Sequence, residues 1–186
     1  MTQADRDKWN GKYERAAPSV PSAVLVEFAD YLPTDGSALD IAGGAGRHSI
    51  WLAQRGLDVT LVDISEKGIQ IAEQRAVEAG VSLSTVCQDL DDTPLPAGPY
   101  DLIVSVCFLC RDILQQVPRL LKPGGRVIVV QPTKTNLIRH NRPPEPFLLY
   151  DGELAELLPT LRTIHYHEGW SADERYDAVL VAQRDE

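Results

Sequence analysis

The sequence is poor in several features that mark particular classes of protein. Only three of its 186 residues are cysteine, and an odd, small number predicts no disulfide framework. No apolar run approaches the roughly 20 residues that cross a bilayer, so we expect no membrane partner. Basic residues are also scarce, since 18 Lys and Arg stand against 27 Asp and Glu for a net charge of −9. This balance argues against a phosphate-backbone partner such as DNA or RNA.

The length and the first residues indicate the number of domains and the cellular location. A chain of 186 residues has the usual size of one domain and can bury one substantial core, so a single domain over 1–186 is predicted. The opening residues, MTQADRDKWN, do not resemble a secretory signal. The expected location is therefore the cytoplasm, and the expected assembly is a monomer or a homodimer.

What the sequence does contain is a glycine-dense turn at 42–46, AGGAG. It follows a short apolar strand signal at 38–41 that includes Asp40, and it precedes a helical pattern that opens at Arg47. Small residues let the backbone turn tightly and approach a ligand with no Cβ in the way. The helix start presents unpaired N–H groups above the strand. Together these features predict the nucleotide-binding end of a doubly wound sheet.

The spacing of glycines and acids favours a nucleoside over a dinucleotide. The dinucleotide fingerprint G-x-G-x-x-G needs a third glycine, whereas a reading from Gly44 gives Gly46 and then Ser49. A second acid, Asp63, closes the apolar run 59–62, where it is placed to accept hydrogen bonds from ribose hydroxyls. An NAD-dependent enzyme is therefore the weaker alternative.

Two blocks of the sequence resemble a known family. Residues 39–65, LDIAGGAGRHSIWLAQRGLDVTLVDIS, resemble the cofactor-binding signature of class I S-adenosylmethionine-dependent methyltransferases. The family often has Gly-Cys-Gly where this sequence has Ala42-Gly43-Gly44. Residues 120–130, LLKPGGRVIVV, match a second common feature of these methyltransferases. The resemblance implies S-adenosylmethionine as cofactor and methyl transfer as activity.

The resemblance also implies which residues bind the cofactor. Asp63 is expected to hold the ribose, and Asp89 is expected near the adenine amino group, with a turn cap as its alternative role. Ser105 and Val106 end a predicted strand at 100–107 and are expected beside the sulfonium. The full expected set lies in the glycine turn and after successive strands: Asp40, Ala42, Gly43, Gly44, Gly46, Arg47, Asp63, Ile64, Asp89, Leu90, Ser105 and Val106.

A W-N-x-x-Y element at 9–13 looks like that of the tellurite-resistance and thiopurine methyltransferase group, whose N-terminal segment closes over the site. Residues 1–17 are therefore predicted to form a lid helix, with a simple hydrophobic anchor as the alternative. The proline-rich segment 132–150 is predicted as a loop over the site, with a solvated loop as the alternative. The expected acceptor-binding residues are Trp9, Tyr13, Cys107, Arg111 and Arg139.

Strand and helix signals alternate along much of the chain, which predicts parallel strands joined by right-handed crossovers. Helices are expected at about 47–55, 66–79 and 112–121, the first two ending at Gly56 and Gly80, and a fifth strand is expected at 126–131. The last two strand signals, at 162–169 and 175–184, are typical of a β-hairpin. The resemblance implies a doubly wound, Rossmann-like α/β fold. Its seven-stranded sheet would have the order 3-2-1-4-5-7-6, with the last strand antiparallel and helices on both faces.

The expected chemistry needs few special residues. In methyl transfer from a sulfonium the cofactor carries the activated group, so no catalytic residue is assigned. Cys107 and Cys110 form a C-x-x-C, but no second pair accompanies it and no metal site is expected. The acceptor is expected to be a small thiol, amine, hydroxyl or metalloid oxyanion. A non-catalytic module that binds S-adenosylmethionine or another nucleoside is the alternative.

Overall fold

The structure is a computed structural model that describes residues 3–15, 20–172 and 174–186. Within these residues seven strands form one sheet: β1 (Ser37–Ile41), β2 (Asp58–Asp63), β3 (Leu83–Cys87), β4 (Tyr100–Val106), β5 (Leu121–Pro132), β6 (Arg162–Trp170) and β7 (Tyr176–Gln183). The strand order is β3-β2-β1-β4-β5-β7-β6, and β7 is antiparallel to both of its neighbours. The predicted fold class is therefore confirmed.

Helices of the described residues precede β1 and lie between most of the later strands, except between β3 and β4 and between β6 and β7. They are α1 (Gln3–Glu14), α2 (Ala23–Glu27), α3 (Arg47–Gln54), α4 (Glu66–Glu78), α5 (Arg111–Leu114), α6 (Val117–Leu120) and α7 (Glu153–Leu157), with 3₁₀ turns at Ala29–Tyr31, Lys134–Ile138 and Glu145–Phe147. None of them is long and apolar enough to cross a membrane.

The chain divides into two compact units, of which the first comprises residues 1–21 and 33–97. Here β1, β2 and β3 run parallel, so their carboxyl ends meet at one edge. Leu61, Ile69 and Ala72 form a buried cluster on which Leu83 packs. Ser65 begins α4, because its hydroxyl accepts a hydrogen bond from the Gly68 N–H at 2.9 Å, as expected of an N-cap.

The second unit comprises residues 22–32 and 98–186. In it β4 pairs in parallel with β5, and β5 pairs with β7 in the antiparallel sense. The predicted buried strand is present as β4, in which all residues except Asp101 are buried. Asp101 instead forms an ion pair with Lys122 at 2.6 Å. The expectation that the whole chain is a single domain stays a prediction.

Several element boundaries differ from the sequence-based prediction. One helix was expected at about 112–121, but the chain forms α5 and α6, with a proline in the first turn of α6. Proline cannot continue a helix because it lacks the N–H and clashes with the preceding turn. β5 begins at Leu121 rather than Arg126. Residues 1, 2, 16 and 17 of the predicted lid helix lie outside the described residues.

Candidate functional site

The glycine turn joins β1 to α3 through alternating left-handed residues. Ala42, Gly44 and Gly46 have φ of 55°, 56° and 77°. The N–H of Gly43 donates to the Val62 carbonyl at 3.2 Å, and that of Gly46 donates to the Gly43 carbonyl at 3.0 Å. The turn is therefore fixed to β2 as well as to β1.

Gly46 and Gly44 have no room for a side chain, for different reasons. A Cβ on Gly46 would lie 2.8 Å from the Ala72 Cβ, so this glycine allows α4 to pack closely on the turn. A Cβ on Gly44 would lie 2.0 Å from the Tyr13 hydroxyl oxygen. The structure thus gives Gly46 a packing role, and its contact with a cofactor stays a prediction.

Ala42 is the residue at which the sequence departs from the glycine common in the family, and its backbone is left-handed. A left-handed conformation costs an L-residue about 1–2 kcal/mol, whereas glycine adopts it freely. Ala42→Gly should relieve this strain, but glycine loses more chain entropy on folding, which offsets part of the gain. We therefore expect the variant to have a free energy of unfolding higher by about 0.5–1 kcal/mol. Urea unfolding of the two proteins measures this difference, and a less stable variant would show that Ala42 is not strained.

Asp63, at the end of β2, connects the turn to α4. Its side chain is buried; Oδ2 accepts the Gly44 N–H and Oδ1 accepts the Ser65 N–H, both at 2.8 Å. Burial raises the pKa of Asp63, while the N–H donors of Ser65 and Gly44 oppose that shift. Each carboxylate oxygen has a second lone pair, so Asp63 retains the capacity to accept from ribose hydroxyls.

Asp40, the acid of β1, is buried beneath the turn. Its Oδ2 accepts a hydrogen bond from the Ser49 hydroxyl at 2.6 Å, and only 1% of the residue is exposed. Burial raises the pKa of Asp40 from 3.8 to about 7, although the Ser49 hydrogen bond acts in the opposite direction. Asp40 therefore titrates close to neutral pH in the folded protein.

This raised pKa predicts a pH-dependent stability. Between pH 3.8 and about 7 the folded state keeps a proton on Asp40 that the unfolded state has released. The free energy of unfolding should therefore fall as the pH rises through this range, by on the order of a few kcal/mol. Asp40→Asn cannot ionise and should lack this component. Urea unfolding at pH 4.5, 6 and 8 measures the wild type, Asp40→Asn and the control Asp35→Asn, which changes an exposed carboxylate. The same pH dependence of stability in all three proteins would contradict the raised pKa of Asp40.

The N-terminal helix places an aromatic pair beside the turn. The rings of Trp9 and Tyr13 stack with centroids 6.0 Å apart, and the Lys12 ammonium lies 4.1 Å from the Trp9 ring centroid. The Tyr13 hydroxyl covers Gly44. Burial, followed by the nearby Asp63 carboxylate, raises the pKa of Tyr13, so this phenol is neutral at physiological pH.

The end of β3 joins the same edge, because the Gln88 N–H donates to the Asp63 carbonyl at 3.0 Å. Ile64 and Leu90 are buried there. The Asp89 carboxylate accepts the Asp91 N–H at 2.9 Å, which is the turn-capping geometry given as its alternative role. Arg47 begins α3. The expected cofactor residues from Asp40 to Leu90 thus follow the adjacent parallel strands of the first unit, and their contact with a cofactor stays a prediction.

The remaining expected cofactor residues belong to the second unit. Ser105 and Val106 are buried at the end of β4, and the Ser105 hydroxyl donates to the Phe108 carbonyl at 3.4 Å. Cys107 follows with φ of 60° and an exposed side chain. No disulfide joins the cysteines of the described chain, and these residues include no cluster of His, Cys, Asp or Glu that could hold a metal ion.

Arg111 lines a cavity of about 380 Å³ in the second unit. Its guanidinium donates to both carboxylate oxygens of Glu153, with Nη2 at 2.9 Å from Oε2. Arg111 follows β4 and Lys134 follows β5, so the cavity lies at the carboxyl edge of this parallel pair. Its lining residues are Arg111, Lys134, Glu145, Pro146, Leu148 and Tyr150. Lys134 and Tyr150 lie in the predicted 132–150 loop, but their meeting with Arg111 could not be predicted, because segments after different strands meet only in the fold.

Arg139 lies apart from that lining and stacks on a hairpin residue. Its guanidinium carbon is 3.8 Å from the Trp170 ring centroid. Nearby, His140 Nε2 contacts the Glu174 carbonyl at 2.6 Å, and buried Asn136 accepts the Tyr176 N–H at 3.1 Å. The 132–150 segment is therefore attached to the β6–β7 hairpin. Its role as a loop over the site stays a prediction.

Comparison with known proteins finds a family that matches part of the chain. Residues 38–125, a little under half of the chain, match the family described as a methyltransferase domain. The match begins in β1 and extends to the KPGG sequence at the start of β5, so it includes the glycine turn, Asp63 and Asp89. The resemblance to class I S-adenosylmethionine-dependent methyltransferases is confirmed, and S-adenosylmethionine is the cofactor of that family.

Relatives of the methyltransferase domain include a curated enzyme and solved structures. Ubiquinone/menaquinone biosynthesis C-methyltransferase UbiE from Ralstonia pickettii is 33% identical over 105 residues, which are 52% of this chain and 43% of that protein. The chain spans less than half the length of the first curated relatives it matches.

Two solved structures share the fold. TehB from Haemophilus influenzae superposes with a TM-score of 0.75 at 22% identity, over 97% of this chain and 67% of that chain. Magnesium protoporphyrin IX methyltransferase (ChlM) from Synechocystis PCC 6803 was solved with bound S-adenosylmethionine. It superposes with a TM-score of 0.73 at 20% identity, over 98% of this chain and 96% of that chain. At these identities the likeness shows the fold alone, and the resemblance of the W-N-x-x-Y element to the tellurite-resistance group stays a prediction.

Proposed function

We propose that this chain transfers a methyl group from S-adenosylmethionine to a small-molecule nucleophile. The observation that carries the proposal is the buried Asp63 carboxylate at the end of β2, which holds the glycine turn through the Gly44 N–H. This arrangement lies inside the range that matches the methyltransferase domain. It combines an acceptor for ribose hydroxyls with a turn that has no side chain at Gly44.

The residues around the turn fit the cofactor in chemical type. Asp63 accepts from the ribose hydroxyls. Buried Ile64 and Leu90 offer an apolar surface to the adenine ring, and the Asp89 carboxylate lies in the loop that follows β3. Arg47 supplies a positive charge near the turn, suited to the carboxylate of the methionine portion, and Asp40 supplies carboxyl oxygens that suit its amino group. When bound, S-adenosylmethionine supplies the activated methyl group.

The protein's share of the reaction is then to position the acceptor and to exclude water. We propose that the acceptor is small, since the net charge of −9 opposes nucleic acid. In the second unit, the cavity beside Arg111 and Lys134 combines charged and apolar walls, which suits a small polar molecule. Trp9, Tyr13, Cys107 and Arg139 remain proposed acceptor residues.

A methyl-transfer assay with radiolabelled S-adenosylmethionine tests this function. The acceptors would be a panel of thiols, amines, hydroxyl compounds and metalloid oxyanions, with S-adenosylhomocysteine measured as the common product. Acceptor-dependent product formation is the expected result. Tight binding of S-adenosylmethionine without transfer to any member of the panel would favour the non-catalytic nucleoside-binding module instead.

A further inference from the structure

Two cations line the cavity of the second unit, and each of them is paired with a carboxylate. Arg111 is bonded to Glu153, and Lys134 is bonded to Glu145. The two ion pairs differ in how firmly the carboxylate is held. This difference indicates which of the two cations an incoming ligand can bind.

The Glu153 carboxylate is held from several directions. It accepts hydrogen bonds from Nε and Nη2 of the Arg111 guanidinium and from the Tyr150 N–H, the last at 2.8 Å. Only 17% of the Glu153 side chain is exposed. A two-point pair with a guanidinium is among the stronger ion pairs and is specific in geometry. We therefore expect Glu153 to stay on Arg111 when a ligand enters the cavity.

Lys134 is fixed in position, whereas its partner Glu145 is not. The Lys134 N–H donates to the Leu149 carbonyl at 2.8 Å, and the ammonium lies 3.7 Å from the Tyr150 ring centroid. The ammonium also donates to Glu145 Oε1 at 2.5 Å, but 64% of the Glu145 side chain is exposed. Ion pairs as exposed as this one contribute little stability. Another carboxylate can therefore replace Glu145 on Lys134 at small cost.

The other walls of the cavity are apolar. They are formed by Pro146, Leu148 and Tyr150, and Leu148 is only 1% exposed, so this wall is continuous with the buried core. The volume of about 380 Å³ lies within the range of small-molecule sites. The cavity therefore suits an organic molecule that has an apolar body and one anionic end.

We propose that Lys134 binds the carboxylate of a small organic monoanion, in the place that the Glu145 carboxylate occupies in this structure. Displacement of Glu145 leaves one positive charge to neutralise, which matches a single carboxylate. The apolar body of the ligand then lies against Pro146, Leu148 and Tyr150. Under the proposed function, on which this last step rests, the monoanion is the methyl acceptor. The acceptor class is then narrowed to carboxylic acids that carry a nucleophile elsewhere in the molecule.

Binding of phenylacetate and of its neutral amide, phenylacetamide, tests the site without any cofactor. An NMR titration of the intact chain gives both dissociation constants. Phenylacetate should bind about tenfold more tightly than the amide, because hydrogen bonds to charged groups are stronger than neutral ones. It should also bind more tightly than acetate, which has no apolar body to bury.

Two variants should change the binding of phenylacetate in opposite directions. Lys134→Gln removes the ammonium and should weaken binding about tenfold. Glu145→Gln removes the competing carboxylate and should strengthen binding about two- to fivefold, the range for release of an exposed ion pair. Neither variant should alter the binding of phenylacetamide. Arg119→Gln and Glu156→Gln remove exposed charges of the same signs from the second unit, and these controls should bind phenylacetate as the wild type does.

Methyl transfer to 4-mercaptophenylacetate and to 4-mercaptophenylacetamide connects the site to the reaction. The thiol sulfur gains the methyl group, S-adenosylhomocysteine leaves, and the thiol proton passes to solvent. The wild-type kcat/KM should favour the acid about tenfold, and Lys134→Gln should lose this preference.

The possible outcomes separate the site from the proposed function. Absence of phenylacetate binding, equal binding of its amide, or an unchanged preference in Lys134→Gln would overturn the carboxylate site, whether or not transfer occurs. Transfer that does not favour the acid would show that the bound carboxylate is not the acceptor. Preferential binding of phenylacetate, without transfer to either thiol or to any acceptor of the panel, would overturn the proposed function and leave the carboxylate site in place.

Discussion

Asp63→Ala is expected to weaken the binding of S-adenosylmethionine by about 1.5–3 kcal/mol, the range for a hydrogen bond to a charged group. This loss corresponds to a dissociation constant that is larger by a factor of roughly 10–150. The physical reason is that a buried carboxylate at the end of β2 is the acceptor that we assign to the ribose hydroxyls. Titration calorimetry of the variant and the wild type measures the loss.

Asp63 also holds the backbone of Gly44 and Ser65, so its removal is expected to destabilise the turn. Urea unfolding of the variant separates this effect, since the binding assay must be run where the protein is folded. Asp58→Ala is the matched control, because Asp58 is exposed at the opposite end of the same strand. Unchanged affinity in folded Asp63→Ala would remove Asp63 from the cofactor site.

Deletion of residues 1–16 is expected to reduce methyl transfer about a hundredfold or more, because a lid that excludes water and fixes geometry acts mainly in the transition state. Binding of S-adenosylmethionine should persist with near-normal affinity. The described part of α1 has no buried residue, so the remaining core should fold. Transfer rate and dissociation constant are measured on the same preparation.

The experiment compares the change in methyl-transfer rate with the change in affinity for S-adenosylmethionine. Loss of transfer with retained cofactor binding supports a lid. Full activity of the shortened protein would leave α1 as a packing element, and equal loss of binding and transfer would make it part of the cofactor site.

The sequence was sufficient for the features that depend on local signals or on the family pattern. Gly56 and Gly80, both left-handed, follow α3 and α4 as predicted, since glycine adopts the conformation that ends a helix. The strand order followed from the resemblance rather than from spacing. The glycine turn and Asp63 lie together at the end of adjacent parallel strands, as expected.

The features that could not be predicted join residues distant in sequence. The hydrogen bonds of Asn10 to Ser65 and Lys67 span more than fifty residues, although Asn10 lies inside the motif that indicated a lid. The pairing of Arg111 with Glu153 likewise appears only once both segments are placed. Gly46 was expected to face a ligand, and its contact with Ala72 depends on the position of α4. Local propensity carries no information about such partners.

The most direct test of the account is a calorimetric titration of the intact chain with S-adenosylmethionine, run beside an identical titration with NAD. We expect saturable binding of one S-adenosylmethionine per chain and no binding of NAD, because the turn lacks the third glycine of the dinucleotide fingerprint. Binding of NAD in preference to S-adenosylmethionine, or no binding of S-adenosylmethionine by folded protein, would contradict it.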